Sequence, residues 1–404
     1  MHIVIGKARR VIVIGLAAFC AVAALSVWLF TRPGTIGLYR WGYGTPFIAL
    51  LGLGAAALAI AIASARFPAA KALRVVSVVV SCLVVVLAAG VGGFIAANAY
   101  GRLPPAAARP VLPDPAAGIA VPPGRGLRVA LSSDPHFDRD LSAHDARRRI
   151  LRLAQEERDR GELDAFFMLG DYVEQGFMAA GWDVVLSELR ELMPRVPLYA
   201  LMGNHDAMLG GARRWLSALG VEPGRPASGE ASARPSPYMW RVNAGTVHFI
   251  AVDLPWGPED LSKAERAWLE DQLASIPAAD FTVVLSHSFF YCSGYVDEST
   301  GMPWFDHADN LRLVAPMLAG RADLVVSGHN HYMEWIEADG TAWAIVGAMG
   351  GKPDPEPTHV SPGSVWFARG EYGRLVLELE PDGLHCSFED DDGETLFERT
   401  LAAD

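Results

Sequence analysis

The sequence predicts an α/β domain placed behind three membrane-spanning helices, and three observations carry that reading. Three long uncharged apolar stretches fall within the first hundred of 404 residues. Further on, five apolar runs each stop at a short turn bearing carboxylate, carboxamide or imidazole groups. Around those runs lie an amphipathic helical stretch and a set of alternating apolar and polar segments.

The apolar stretches cover residues 11–30, 46–65 and 75–99, each long enough to cross about 30 Å of hydrocarbon. Buried core helices are the alternative, which three such runs in succession oppose. A cleaved leader ending near Ala21 to Ala24 is the alternative for the first run and would leave two spans. Phe19 sits where a lipid-attachment site at Cys20 wants a small residue, which argues against lipidation there. Lys7, Arg9 and Arg10 precede the first run, and Arg66, Lys71 and Arg74 separate the second from the third. The intervening loop has only Arg32 and Arg40. This asymmetry is expected to place everything after Tyr100 outside the cytoplasm, with an integral, multi-pass anchor. The spans lack acidic, basic and imidazole side chains, which favours anchoring over transport. Gly52, Gly54, Gly90 and Gly93 would let the helices pack closely, including with another copy of the chain.

The expected organisation is an anchor over 1–100, a Pro/Ala-rich semi-rigid linker over 101–126, and a soluble domain over 127–404. A net charge of −12 without Lys/Arg clusters in the soluble part argues against nucleic acid as a partner. Of four cysteines, Cys20 and Cys82 fall in the apolar stretches. Pairing of Cys292 with Cys386 is left open, and no zinc-finger spacing occurs.

In the soluble part, LRVALSSDPHFD ends an apolar run at Asp134 and His136, and DAFFMLGDYVEQG ends one at Asp171. PLYALMGNHDAM ends at Asn204, His205 and Asp206, FTVVLSHSFF at His287, and DLVVSGHNH at His329 and His331. In an α/β architecture such strand ends converge on one sheet edge, where ligands bind. Carboxylate, carboxamide and imidazole donors without thiolates suit Zn, Mn, Fe or Co in a reactive rather than a structural site. The seven donors Asp134, His136, Asp171, Asn204, His287, His329 and His331 are too many for one ion. They fit two ions about 3.5 to 4 Å apart that share a carboxylate.

The ordered words DPH, GD, GNHD, SH and GHNH resemble the calcineurin-like metallophosphoesterases, from about Leu127 to beyond Gly350. The resemblance implies a two-sheet α/β sandwich flanked by helices and hydrolysis of a phosphate ester by a metal-bridging hydroxide. It implies that Asp134, His136 and His331 hold one ion, that Asn204, His287 and His329 hold the other, and that Asp171 bridges them. His205 would stabilise or protonate the leaving oxygen.

GDYVEQG is close to the GDYVDRG of the phosphoprotein phosphatase branch, which makes Glu174 the expected orienting acid for His205. Gln175 departs from that branch, standing where it has a phosphate-binding Arg. Purple acid phosphatases carry a metal-bound Tyr at the place of Glu174, so a ferric–tyrosinate centre is not expected. Asp206 either acts beside the site or caps the following helix. His144, His248, His307, His359 and His385 match no motif, and His307 has a substrate contact as an alternative to loop structure. Phe289, Phe290, Tyr291, Tyr295, Trp304, Phe305, Tyr332 and Trp335 are either ordinary packing or an apolar wall for a lipid-linked substrate. Monoester and diester remain open, as does an inactive membrane-tethered scaffold that keeps the fold.

LSKAERAWLEDQLASI reads as an amphipathic helix capped by Ser262, and 373–401 as terminal antiparallel strands around DG turns.

Overall fold

The computed structural model describes Gly52 and residues 71–99, 109–139, 143–220, 236–254, 261–294, 308–354 and 356–402. Among them, two sheets face each other. One is six-stranded, in the order β13-β12-β11-β1-β2-β3, and the other seven-stranded, in the order β10-β8-β9-β7-β6-β5-β4. The first holds β1 (Arg128–Ser132), β2 (Ala165–Met168), β3 (Leu198–Ala200), β11 (Gly373–Glu380), β12 (Gly383–Asp390) and β13 (Thr395–Leu401). The second holds β4 (Trp240–Ala244), β5 (Val247–Ala251), β6 (Phe281–Ser286), β7 (Leu324–Ser327), β8 (Met333–Ala338), β9 (Thr341–Val346) and β10 (Ser364–Ala368). The strands β1, β2 and β3 run parallel, as do β5, β6 and β7.

The unbroken apolar runs follow from burial on both faces of each central strand. In β1, Val129 and Leu131 point between the sheets, while Ala130 packs under the outer helices. In β6, Val283 and Leu285 join the same inter-sheet core, and Val284 faces the helix Lys263–Ser275. That helix opens with the expected cap: the Ser262 hydroxyl accepts from Glu265 N–H at 3.3 Å, and the Glu265 carboxylate accepts from Ser262 N–H at 2.7 Å. The helices His144–Asp159 and Ala179–Leu192 cover the outer face of the other sheet.

The Pro/Ala-rich segment differs from a free tether. From residue 109 onward it docks along the sandwich: the Val111 carbonyl accepts from Leu198 N–H at 2.9 Å, and Ile119 N–H donates to the Asn243 carbonyl at 2.8 Å. It thereby takes up hydrogen-bonding groups at the edge strands β3 and β4, and Ile119 and Val121 pack against the inter-sheet core. Apolar side chains placed between the prolines account for the docking.

The expected stretches 11–30 and 46–65 lie outside the described residues. A helix, Lys71–Ala99, occupies the place of the third, with Val75, Val76, Leu83 and Val86 exposed. Only some of its side chains are described, and among the described residues no helix is long and apolar enough to cross a membrane. The expectation of three transmembrane helices thus falls mostly outside the described residues. Cys292 and Cys386 are buried in separate clusters and are not disulfide-bonded to each other.

A buried ionic cluster fastens the helix His144–Asp159 to the first sheet. Arg374, 1 % exposed, donates to both Glu157 oxygens at 2.6 and 2.7 Å and to Glu389 at 2.6 and 3.0 Å. Burial disfavours the charged Glu157 carboxylate, but Arg374 outweighs it and holds the group below its ordinary value. Glu157→Ala, which strands a buried guanidinium, is expected to cost about 3–5 kcal/mol in chemical denaturation. Because the folded-state value is depressed, the Glu157 contribution is complete above about pH 4.5 and is lost as pH falls through the lowered value. Glu157→Gln should remove that acid-dependent part of the denaturation midpoint; an unchanged pH profile would contradict the assignment.

Candidate metal centre

The parallel strands deliver their carboxyl ends to one edge, and each turn there carries a functional side chain. Asp134 and His136 follow β1, Asp171 and Glu174 follow β2, and Asn204, His205 and Asp206 follow β3. His287 follows β6, and His329 and His331 follow β7. Five non-glycine residues adopt positive φ among the described residues, and four of them are here: Asp134 at 61°, His136 at 40°, Asp171 at 53° and His329 at 71°. Each such conformation costs about 1–3 kcal/mol and persists only where the surroundings over-determine it. The ties are visible. Asp134 N–H donates to the Gly170 carbonyl at 3.1 Å, His136 N–H to the Asp171 carbonyl at 3.1 Å, and His329 N–H to Asp134 Oδ2 at 2.7 Å.

The glycines of the words GD and GN make room for these turns. A Cβ at Gly203 would sit 2.1 Å from Asp171 Oδ1, and one at Gly170 would lie 2.6 Å from His287 Nδ1. Gly170 also has φ of 114°, which L side chains rarely adopt.

Three donor groups result among the described residues; His136, Glu174 and His205 form one, and expected ligands alone form the other two. In the first of those two, Asp134, His136 and His331 offer ligand atoms within 4.8 Å of one another. In the other, Asp171, His287 and His329 do the same. Asn204 Oδ1 joins the second, 2.9 Å from both His287 Nε2 and His329 Nδ1. Asp171 faces both groups, with Oδ1 3.4 Å from His287 Nε2 and Oδ2 3.9 Å from His136 Nε2. All seven expected ligands are thus brought together, and His205 lies beside them with Nε2 4.0 Å from Asp171 Oδ2.

The donor set suits cations. Asp134 Oδ1 and His136 Nε2 are buried and have no hydrogen-bond partner among the described residues. Such orphaned groups are costly unless something outside the chain satisfies them. Burial acts against the charge on Asp171, yet His287 and His205 outweigh it and hold the carboxyl well below the usual range. Burial likewise favours neutral His287 and His331, but Asp171 raises the first and Asp134 the second, each to about 9. Burial and the neighbouring His287 push His329 down to about 3. Protons thus supply the positive charge the buried carboxylates demand, and metal ions would displace them.

Two expected roles change. Asp206 is buried and spends its carboxylate on main-chain donors: Oδ1 accepts from Tyr172 N–H at 2.9 Å and Val173 N–H at 3.2 Å, and Oδ2 from Gly203 N–H at 2.9 Å. It joins the GD turn to the GNHD turn rather than capping a following helix. Glu174 reaches His205 through its main chain, whose carbonyl accepts from Nδ1 at 2.8 Å. Its carboxylate lies nearer His136, with Oε2 3.2 Å from Nδ1, than His205, with Oε1 4.0 Å from Nδ1.

Several participants left no mark in the sequence. The carbonyls of Leu169 and Lys352 accept from Nδ1 of His287 and His331 at 2.9 and 2.6 Å, and Asp354 accepts from His331 N–H at 2.8 Å. Main-chain acceptors carry no residue signature; the Gly-rich turn ending at Gly351 was the one available sign. A Cβ at Gly351 would meet the His331 ring at 2.6 Å.

Other candidates fall away from the site. His144 contacts Arg147 at 2.9 Å and His248 contacts Asp280 at 2.9 Å. His307, Tyr295, Trp304 and Phe305 lie outside the described residues. Phe289, Phe290, Tyr332 and Trp335 are buried in core clusters, which removes them as an open wall for a lipid tail. Phe289 stacks on His329, 5.4 Å between centroids.

No curated protein matches this chain. Among solved structures, the purple acid phosphatase PPD1 of yellow lupin, Lupinus luteus, superposes with a TM-score of 0.54 at 14% identity, over 69% of this chain and 54% of that one. The chain therefore spans about half the length of that phosphatase, and the likeness is one of fold. GAP50, described as the anchor in the inner membrane complex of Plasmodium, gives a TM-score of 0.49 at 17% identity over 69% and 90%. A 5′-nucleotidase from Staphylococcus aureus gives 0.38 at 16% over 69% and 55%. Residues 127–333, half of the chain, match the family model of the calcineurin-like phosphoesterases. With its strand-end histidines and carboxylates gathered at one edge of a two-sheet sandwich, the chain belongs to the calcineurin-like phosphoesterase family.

Proposed function

We propose that the chain hydrolyses a phosphate ester with two metal ions, Asp134, His136 and His331 holding one, Asn204, His287 and His329 the other, and Asp171 lying between. The observation that carries this reading is the pair of abutting buried donor groups, in which Asp134 Oδ1 and His136 Nε2 make no hydrogen bond among the described residues. When bound, such ions activate water and screen charge that develops on phosphate; Zn, Mn, Fe and Co all suit these donors.

The chain's own residues supply the rest. Asp171 orients the His205 loop, its Oδ1 accepting from His205 N–H at 2.9 Å. The Glu174 carbonyl fixes Nδ1 of His205 as the donating nitrogen. Nε2 then faces the donor cluster and, when protonated, passes its proton to the leaving oxygen. Gln175 withholds the arginine clamp for a terminal phosphate, so diesters stand beside monoesters as substrates. The burial of four of the expected aromatic-wall residues withdraws the support for a lipid-tailed ester.

Membrane anchorage is part of the same proposal, with the domain on the outer side. It is supported by the uncharged stretches 11–30, 46–65 and 75–99 and by the basic residues Lys7, Arg9, Arg10, Arg66, Lys71 and Arg74 beside them. The chain is expected to stay with membranes through carbonate washing and to be cut within the domain by protease added to intact cells. Release by carbonate, or protection from the protease, would overturn the anchorage or its orientation.

Elemental analysis and hydrolysis of bis-p-nitrophenyl and p-nitrophenyl phosphate test the chemistry. The full chain in detergent should bind about two ions. Asp171→Asn should lose both metal and turnover. His205→Ala should keep the metal while kcat falls about 10²- to 10⁴-fold. A chain that takes up no metal would favour an inactive scaffold.

A further inference from the structure

Glu174 is the one acid of the GDYVEQG turn that the proposed ligand set leaves over; its carboxylate lies closer to His136 than to His205, whose Nδ1 is 4.0 Å from Oε1, and its carbonyl bonds His205. Side-chain Oε2 lies 3.2 Å from His136 Nδ1 and 3.2 Å from Arg139 Nη1. The main-chain oxygen accepts from His205 Nδ1 at 2.8 Å. The turn itself is held from both sides: Asp138 Oδ1 accepts from Glu174 N–H at 2.8 Å, and Gly176 N–H donates to the His205 carbonyl at 2.9 Å.

His136 is buried, and its Nε2 points toward Asp171. An imidazole that ligates through one nitrogen is oriented, and its donor strength raised, by an acceptor on the other. His287 and His331 have main-chain carbonyls in that place. His136 faces a carboxylate, at hydrogen-bond distance though off the axis of its N–H. A carboxylate is the stronger acceptor, and small rotations of a side chain that is about one-third exposed suffice to align it.

We propose that Glu174 is a positioning residue with two separable outputs. Its carboxylate orients His136 and strengthens it as a ligand for the ion shared with Asp134 and His331. Its main-chain carbonyl orients His205. The inference rests on the dinuclear reading above. Because the hydrogen bond to His205 belongs to the main chain, substituting the side chain removes the first output and, toward His205, only the longer 4.0 Å approach of Oε1 to Nδ1. The rival account gives the carboxylate only a rim ion pair with Arg139.

The test is chelator competition on the full chain, resolving the two Mn or Zn affinities, for Glu174→Ala, Glu174→Gln and Arg139→Ala. Glu174→Ala should weaken one ion about 10- to 100-fold and leave the other near its wild-type affinity. Its hydrolysis should be restored in part by excess metal, Glu174→Gln should fall in between, and Arg139→Ala should move neither affinity comparably. Two wild-type affinities in Glu174→Ala, equal weakening of both ions, or an Arg139→Ala loss matching that of Glu174→Ala would overturn the inference. A wild-type chain that binds no ion would overturn the dinuclear reading and this inference together, whereas two bound ions with an unmoved variant overturns this one alone.

Discussion

The buried carboxylate of Asp171 is the constraint on which the site depends. Only 1 % exposed, it sits where a negative charge is expensive unless positive groups surround it. His136, His205 and His287 approach it from the ends of three different strands, and β1, β2, β3 and β6 must align for that to happen. The sandwich therefore acts as a frame for charge compensation. Two sheets with separate helical covers give rigid strand ends, and the donors hang from turns only a few residues long.

Strain is stored where the chemistry is expected. Asp134, His136, Asp171 and His329 all adopt left-handed backbone, and each is tied through main-chain atoms to a neighbouring turn. Asp206 serves the same end, joining the two turns that carry Asp171 and His205. Gly170 and Gly203 let these turns approach one another as closely as they do. Rigidity of this kind positions ligands more closely than flexible side chains alone would allow.

Much of this was legible in the residues. The apolar runs of β1, β2, β6 and β7 announced strands buried on both faces, and the polar words after them announced the donor edge. Ser262 followed by Glu265 marked a helix start that the structure places there. What escaped had physical reasons. The docking of residues 109–126 depends on Ile119 and Val121 finding an apolar surface contributed by β4 and its neighbours, and no local periodicity encodes that. Glu174 was expected to hold His205 through its carboxylate; the carbonyl does so, because the longer side chain reaches His136. The outer acceptors Leu169 and Lys352 act through carbonyls, which every residue possesses. The aromatic residues after His287 left packing and an open wall as alternatives, and Phe289 and Phe290 are spent on core packing.

The central claim is that Asp171 lies between two ions. Anomalous diffraction from crystals grown with Mn, recorded on either side of the metal edge, addresses it directly. Two peaks about 3.5 to 4 Å apart, with the Asp171 carboxylate in contact with both, are the predicted result. A single peak, or two with Asp171 bound to only one, would contradict the account.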